Sequence, residues 1–189
     1  MKNDFESKHT TELTRYRIEC ARKMKGKVLD VGGGMGVYLP YFSSSDVTGL
    51  DINEEAMKKA NYQTKIVGDA CHMPFDNSSF DSIWACGVCM YMNIDDFVKE
   101  AKRVLKTNGK IIITIPNPDS PWSKYIKMLG MKVWEDNKNG NTIYNLYTVK
   151  QLEKYGKLSG EVRFLPTFLD KLVRNRPRIW HTMMLEIDG

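Results

Sequence analysis

The chain has 189 residues, which favours a single domain; 42% are hydrophobic, enough to bury a core, and 27% are charged, an ordinary share for a globular protein. No stretch approaches the roughly 20 apolar residues of a membrane-spanning helix, and the opening MKNDFESKHTTEL lacks the apolar segment of a secretory signal. The formal net charge of +5 is mild enough to be carried by solvated lysines rather than to require an anionic partner, and four cysteines without a signal read as free thiols of a cytoplasmic protein.

In chain order, Ser7 to Met24 is expected to form an amphipathic helix, with Leu13, Tyr16, Ile18, Cys20 and Ala21 set among charges. The buried strand VLDV (28–31) runs into a glycine loop, and Val37-Tyr38-Leu39 is expected to open a short helix near 37–43. Strand DVTGLDI (46–52) follows. Asn53 then caps a helix with Glu54 and Glu55 in its first turn, where acids complement the helix dipole. Strand TKIVGDA (64–70), the loop CHMPFDNSSF and strand DSIWACGV (81–88) come next. Asn93 or Asp95 starts a helix with Phe97, Val98, Ala101, Val104 and Leu105 facing inward. Asn108-Gly109 is expected to end it just before strand KIIITIP (110–116). Such alternation implies a parallel sheet with helices on both faces. The pattern lapses from Asn117 to Tyr147. A capping box of Thr148 and Gln151 opens a helix through about Leu158, and EVRFL and IWHTMMLEI are expected to add two strands.

The glycine loop is the most specific signal. Residues Gly32, Gly33, Gly34 and Gly36 follow a hydrophobic strand, and glycine lets backbone N–H groups approach a ligand closely. A dinucleotide fingerprint needs G-x-G-x-x-G. From Gly32 and Gly34 the third glycine would fall on Val37, and from Gly34 and Gly36 on Leu39, so neither register fits. A phosphate-binding loop needs a following Gly-Lys-Ser/Thr, and no lysine is near. What the chain spells is acid-x-Gly-x-Gly-x-Gly from Asp30, and an acid there suits a cationic ligand better than a pyrophosphate.

That motif resembles motif I of the class I S-adenosylmethionine-dependent methyltransferases, nearest to the small-molecule group that contains the ubiquinone/menaquinone-biosynthesis enzymes (methyltransferase type 11). Roughly residues 10–117 carry the resemblance. It implies a Rossmann-like, doubly wound, mostly parallel seven-stranded sheet in one domain over 1–189. The N-terminal helix (about 7–24) and segment 118–147 would form a lid over the acceptor. It further implies that S-adenosylmethionine is bound by Asp30, Gly32, Gly33, Gly34, Gly36, Asp51, Ile52, Asp69, Ala70 and Cys86. Asp51 would accept hydrogen bonds from the ribose hydroxyls, about 20 residues beyond the glycine loop as ribose-binding acids lie. Asp69 would accept one from the adenine amino group, and the Ala70 backbone N–H would face a ring nitrogen. Two further stretches resemble the family: Met73–Asp81 before strand four, and Lys102-Arg103-Val104-Leu105-Lys106-Thr107-Asn108-Gly109 before strand five, with Thr107-Asn108 in place of the usual proline and glycine.

Methyl transfer from a sulfonium needs alignment and exclusion of water above all, with a general base for some acceptors. Relatives carry histidines where Met90 and Tyr91 stand, so no catalytic residue is assigned; Tyr91 and His72 are the candidates. Cys86-x-x-Cys89 with Cys71-His72 could alternatively form a zinc or redox site, although no metal is expected. Trp122, Tyr125, Ile126, Met128, Leu129, Met131 and Trp134 suggest an acceptor with a lipid-like part, and a sugar part is also open. The basic run Lys171, Arg174, Arg176 and Arg178 reads as a solvated face. The expected partner is a small-molecule acceptor, with no nucleic acid; a homodimer is compatible with the chain. Three rival readings stand beside this one: a non-catalytic donor-binding regulator, an RNA or protein methyltransferase, and a nicotinamide oxidoreductase, which the glycine spacing disfavours.

Overall fold

The computed structural model describes residues 15–129, 145–161 and 182–189. Seven strands form one sheet: β1 (Val28–Val31), β2 (Val47–Asp51), β3 (Thr64–Val67), β4 (Phe80–Cys86), β5 (Leu105–Pro116), β6 (Lys157–Glu161) and β7 (Thr182–Asp188). Their order is β3-β2-β1-β4-β5-β7-β6. The pairs from β3 to β5 are parallel, and β7 enters antiparallel to both β5 and β6. The helices are α1 (Arg15–Ala21), α2 (Glu54–Lys59), α3 (Ile94–Val104), α4 (Pro121–Met128) and α5 (Val149–Leu152). The doubly wound, mostly parallel sheet expected from the sequence is the one observed.

The alternation of side chains along each strand divides the core in two. On one face Leu29, Val31, Ile83, Ile111, Ile113 and Leu185 meet the buried side of α3, which supplies Phe97, Val98, Ala101 and Val104. On the other, Val28, Trp84, Ile112 and Met184 meet Tyr16, Cys20 and Ala21 of α1, together with Tyr38, Phe42 and Tyr62. Residues buried on both faces explain why the strands read as continuous apolar runs.

Several boundaries differ from expectation. The chain after the glycine loop forms a single 3-10 turn, Leu39–Tyr41, and no α-helix. Gly32, Gly34 and Gly36 take φ of 65°, 50° and 79°. Ser43 and Ser44 then turn the chain back, their hydroxyls donating to the carbonyls of Arg22 and Gly26. The expected helix N-terminus at this loop is therefore absent. Helix α3 ends at Val104, ahead of Asn108-Gly109. Strand β5 starts at Leu105 and carries an irregularity: the pair Phe80–Leu105 is followed by Ser82–Lys110, and Asn108 takes a positive φ of 65°. Helix α5 keeps its capping box but ends at Leu152, so Leu158 belongs to β6. Of EVRFL only Glu161 is among the described residues. Part of the expected lid, residues 7–14 and 130–144, lies outside them, as does the basic run.

Candidate functional site

The chain runs from β1 outward to β3, then returns to β4 on the other side of β1. Ligands of open α/β sheets bind beyond the carboxyl ends of strands at such a reversal. A cavity of about 480 Å³ lies there, within the usual range for small-molecule sites. Its wall takes Gly32 from just beyond β1, Asp51 from the end of β2 and Ile52 after it, Gly68, Asp69 and Ala70 from the loop after β3, and Cys86 from the end of β4 with Gly87 and Val88 after it. Tyr91 and Met92 close it from the β4–α3 loop.

Asp51 organises this wall. Its Oδ2 accepts a hydrogen bond from Gly34 N at 2.8 Å and its Oδ1 one from Asn53 N at 2.8 Å. One carboxylate thus ties the glycine loop to the turn into α2. Asn53 also caps α2, accepting from Ala56 N. A carboxylate has about four lone-pair sites, so two stay open to hydroxyls of a ligand. Asp69, exposed at the cavity rim, accepts from Cys71 N at 2.8 Å. Ile52 lies at the lip with 78% of its surface exposed, an apolar flank available to a flat ring.

The glycines divide into two sets. Gly32 and Gly34 line the cavity. A Cβ on Gly32 would lie 2.4 Å from the Val88 side chain, and the φ of 65° there already favours glycine. Gly33 and Gly36 do not line the cavity. A Cβ on Gly33 would lie 2.4 Å from the Tyr62 hydroxyl, and one on Gly36 3.4 Å from its ring. Asp30 is likewise beneath the wall and not in it. It is 3% exposed, and its Oδ2 accepts from the Tyr62 hydroxyl at 2.5 Å. Burial pushes its carboxyl up to about 7, against the lowering hydrogen bond from Tyr62, with the Asp51 charge adding to the rise.

Of the expected donor-site residues, the fold brings seven to the cavity: Gly32, Gly34, Asp51, Ile52, Asp69, Ala70 and Cys86. It leaves Asp30, Gly33 and Gly36 one layer below. Of the two catalytic candidates, Tyr91 lines the cavity and His72 does not. The His72 side chain is 86% exposed, with Nδ1 3.3 Å from Asp69 Oδ2. Sequence reasoning gave no binding role to Asn53, Gly87, Val88 or Met92. Gly87, at φ 66° with open space in front of it, was recognisable as the glycine closing β4. Tyr62 carried no signal at all.

The four cysteines are free thiols. Cys86 Sγ accepts from Thr114 Oγ1 at 3.1 Å, and burial raises the pKa of Cys86 and of Cys89. A raised thiol is a poor metal ligand and a poor redox nucleophile. Among the described residues no group of three His, Cys, Asp or Glu side chains is arranged to hold a metal ion. No helix among them is long and apolar enough to cross a membrane.

The loop between β4 and α3 is fastened from outside. Asn145 N donates to Met90 O, and Asn145 Nδ2 and the Tyr147 hydroxyl donate to Met92 O at 3.0 and 3.1 Å. The Tyr147 oxygen also accepts from Ile94 N at 3.1 Å. The segment leaving 118–147 thereby sets the position of Tyr91 and Met92.

Comparison with known proteins is consistent with this geometry. The family model described as "Methyltransferase domain" matches residues 29–113. Squalene methyltransferase 1 of Botryococcus braunii is 31% identical over 152 residues, which cover 71% of this chain and 39% of that protein. The chain thus spans about two-fifths of the length of such relatives. Among solved structures, the chain is similar to a SAM dependent methyltransferase from Archaeoglobus fulgidus (TM-score 0.65, 14% identity, 100% of each chain covered). It is also similar to geranyl diphosphate C-methyltransferase from Streptomyces coelicolor A3(2), solved with Mg2+, geranyl diphosphate and S-adenosyl-L-homocysteine. That match has a TM-score of 0.62 and 17% identity, and covers 98% of this chain and 82% of the other. At these identities the structural likeness is one of fold.

Proposed function

We propose, on the premise that this chain belongs to the methyltransferase-domain family, that it transfers the methyl group of S-adenosylmethionine to a small-molecule acceptor with a lipid-like part. The observation that carries this reading is Asp51, held by Gly34 N and Asn53 N in the cavity wall with lone pairs to spare.

The residues present fit the donor. Asp51 would accept from both ribose hydroxyls. Asp69 would take the adenine amino group and the Ala70 N–H a ring nitrogen, with Ile52 against the ring. Gly32 and Gly34 would border the amino-acid end, beside Cys86 and Gly87. When bound, S-adenosylmethionine supplies a methyl group already activated on a sulfonium. The work left to the chain is to hold the donor, align the acceptor and exclude water. Tyr91 and Met92 line the cavity and are placed to border the acceptor, with Tyr91 the candidate to hold a polar end.

The lipid-like acceptor is supported by the apolar wall at Val88 and Met92 and by Tyr125, Met128 and Leu129, which α4 and its end leave exposed. Relatives named for squalene and a structural neighbour named for geranyl diphosphate point the same way. The N-terminal helix and segment 118–147 would complete the acceptor side within one domain. Four free thiols suit the reducing cytoplasm.

Titration calorimetry with S-adenosylmethionine is expected to give micromolar binding, with Asp51→Ala weakening it at least about tenfold through two lost charge-assisted hydrogen bonds. Absence of binding by the unmodified chain would overturn the donor assignment. Binding without turnover across prenyl, sterol and squalene acceptors would overturn the catalytic one.

A further inference from the structure

Tyr62 lies in the loop between α2 and β3, 4% exposed, away from every motif of the sequence. It occupies the space that Gly49 and Gly33 leave free, and its ring lies in ordinary contact with Gly36. A Cβ on Gly49 would come within 2.4 Å of that ring, one on Gly33 within 2.4 Å of the hydroxyl, and one on Gly36 within 3.4 Å of the ring. The hydroxyl donates to Asp30 Oδ2 at 2.5 Å and lies 3.3 Å from Gly33 O. Gly33 of the loop therefore makes room for a side chain below the loop, and not for a ligand above it.

We propose that Tyr62 is the positioning residue of the donor site: it fixes the Asp30 carboxylate and the underside of the glycine loop, so that the loop offers its Gly32–Gly34 face and the charge of Asp30 to the cationic end of the donor. The proposal rests on the donor-binding reading above. Tyr62 touches no ligand itself; it acts through Asp30 and Gly33.

Charge makes the role testable. The groups that face Asp30 are the Tyr62 hydroxyl, Asp51 at the end of β2 and Cys86 at the end of β4; Arg17 of α1 bears on Tyr38 and Cys86 behind them. Burial and Asp51 both disfavour the carboxylate, and the Tyr62 hydrogen bond favours it. A bound ammonium requires the ionised form. Removing the hydroxyl therefore raises the pH at which Asp30 ionises, and affinity is lost selectively on the acid side. A rise of about one unit would leave about fivefold less carboxylate at pH 7 and little difference at pH 8.5.

The experiment is calorimetric titration of the full chain, Tyr62→Phe and Asp30→Asn between pH 6 and 8.5. The probes are S-adenosylhomocysteine and 5′-methylthioadenosine, which lacks the amino-acid end. The ligand's own titration is common to the three proteins and cancels in the affinity ratios. Tyr62→Phe is expected to bind S-adenosylhomocysteine about fivefold more weakly at pH 7, with the gap closing toward pH 8.5 and with 5′-methylthioadenosine unchanged. Relative to the unmodified chain, Asp30→Asn should lose more affinity at pH 8 than at pH 6, an arm that stands even if Tyr62→Phe does not fold. A loss equal at every pH, or shared by 5′-methylthioadenosine, would mean a merely structural role and overturn the proposal. Failure of the unmodified chain to bind either probe would instead sink the donor reading itself.

Discussion

Asp30 shows how a buried acid beneath a cavity wall burdens the fold. Its carboxyl is buried and its pKa pushed up to about 7, chiefly by desolvation. The unfolded chain ionises the same group in the ordinary carboxylate range. Between those values the folded state holds the proton and the unfolded state does not, so stability is present at low pH and lost as pH rises through about 7. The full effect is on the order of 4 kcal/mol. Asp30→Asn is expected to flatten this slope, leaving the free protein more stable at pH 8 than the unmodified chain and little changed at pH 4. Thermal unfolding at the two pH values measures it, and equal shifts at both would show that burial of charge is not the cause. The identity of Asp30 was legible from its spacing to the glycines; its depth was not. Asp51 and Asp69 were legible because Asp51 ends β2 and Asp69 follows β3 by two residues, strands whose patterns are local, and both line the cavity.

Among the elements, the two family-like stretches outside the site explain each other. Arg103, on the last turn of α3, donates to Met73 O, Phe75 O and Asn77 Oδ1, and pairs with Glu100 at 2.7 Å. Glu100 Oε1 in turn accepts from Met73 N at 2.8 Å. The helix end therefore clamps the loop 73–77, which leads from the Asp69-Ala70 wall into β4. Arg103→Ala is expected to destabilise the fold measurably, since it leaves two carbonyls and a carboxylate short of donors. Denaturant unfolding of the variant should show a lower midpoint with the same slope; an unchanged midpoint would assign the loop's order to something else. Helix ends were less legible than helix starts. Asn53, Asn93 and Thr148 each cap a helix as their side-chain chemistry predicts. The end of α3 came four residues before Asn108-Gly109, because Leu105 was drawn into pairing with Phe80. The glycine loop did not open an α-helix: Gly36 still takes a φ of 79°, outside the helical region, and only the 3-10 turn Leu39–Tyr41 follows.

At the scale of the whole molecule, β7 joins the two cores. Inserted antiparallel between β5 and β6, it sends Leu185 into the layer under α3 and Met184 into the layer under α1. Leu185→Ala removes a fully buried side chain and is expected to cost about 2–5 kcal/mol. Far-UV and near-UV circular dichroism should lose signal in one shared transition. Separate transitions would show that the C-terminal strands fold apart from the parallel sheet. The cavity lies at the other end of this design, where β1 to β4 leave the sheet on the side of the chain reversal. Its position follows from strand order, and its contents from the loops.

The sequence by itself determined the alternation of strands with most of the helices, the parallel sheet, and the three acids Asp30, Asp51 and Asp69 at or just beyond strand ends. Those properties follow from periodicity, capping and spacing, which act between residues near in the chain. Only the tertiary structure decided which of them reach the cavity. Tyr62 meets Asp30 across 32 positions and Gly49 across a strand and a helix, and no local pattern encodes that contact. Depth decided it: the Tyr62 side chain fills the space beneath the loop against Gly33 and Asp30, below the wall, while Gly32, Gly34 and Asp51 face the cavity.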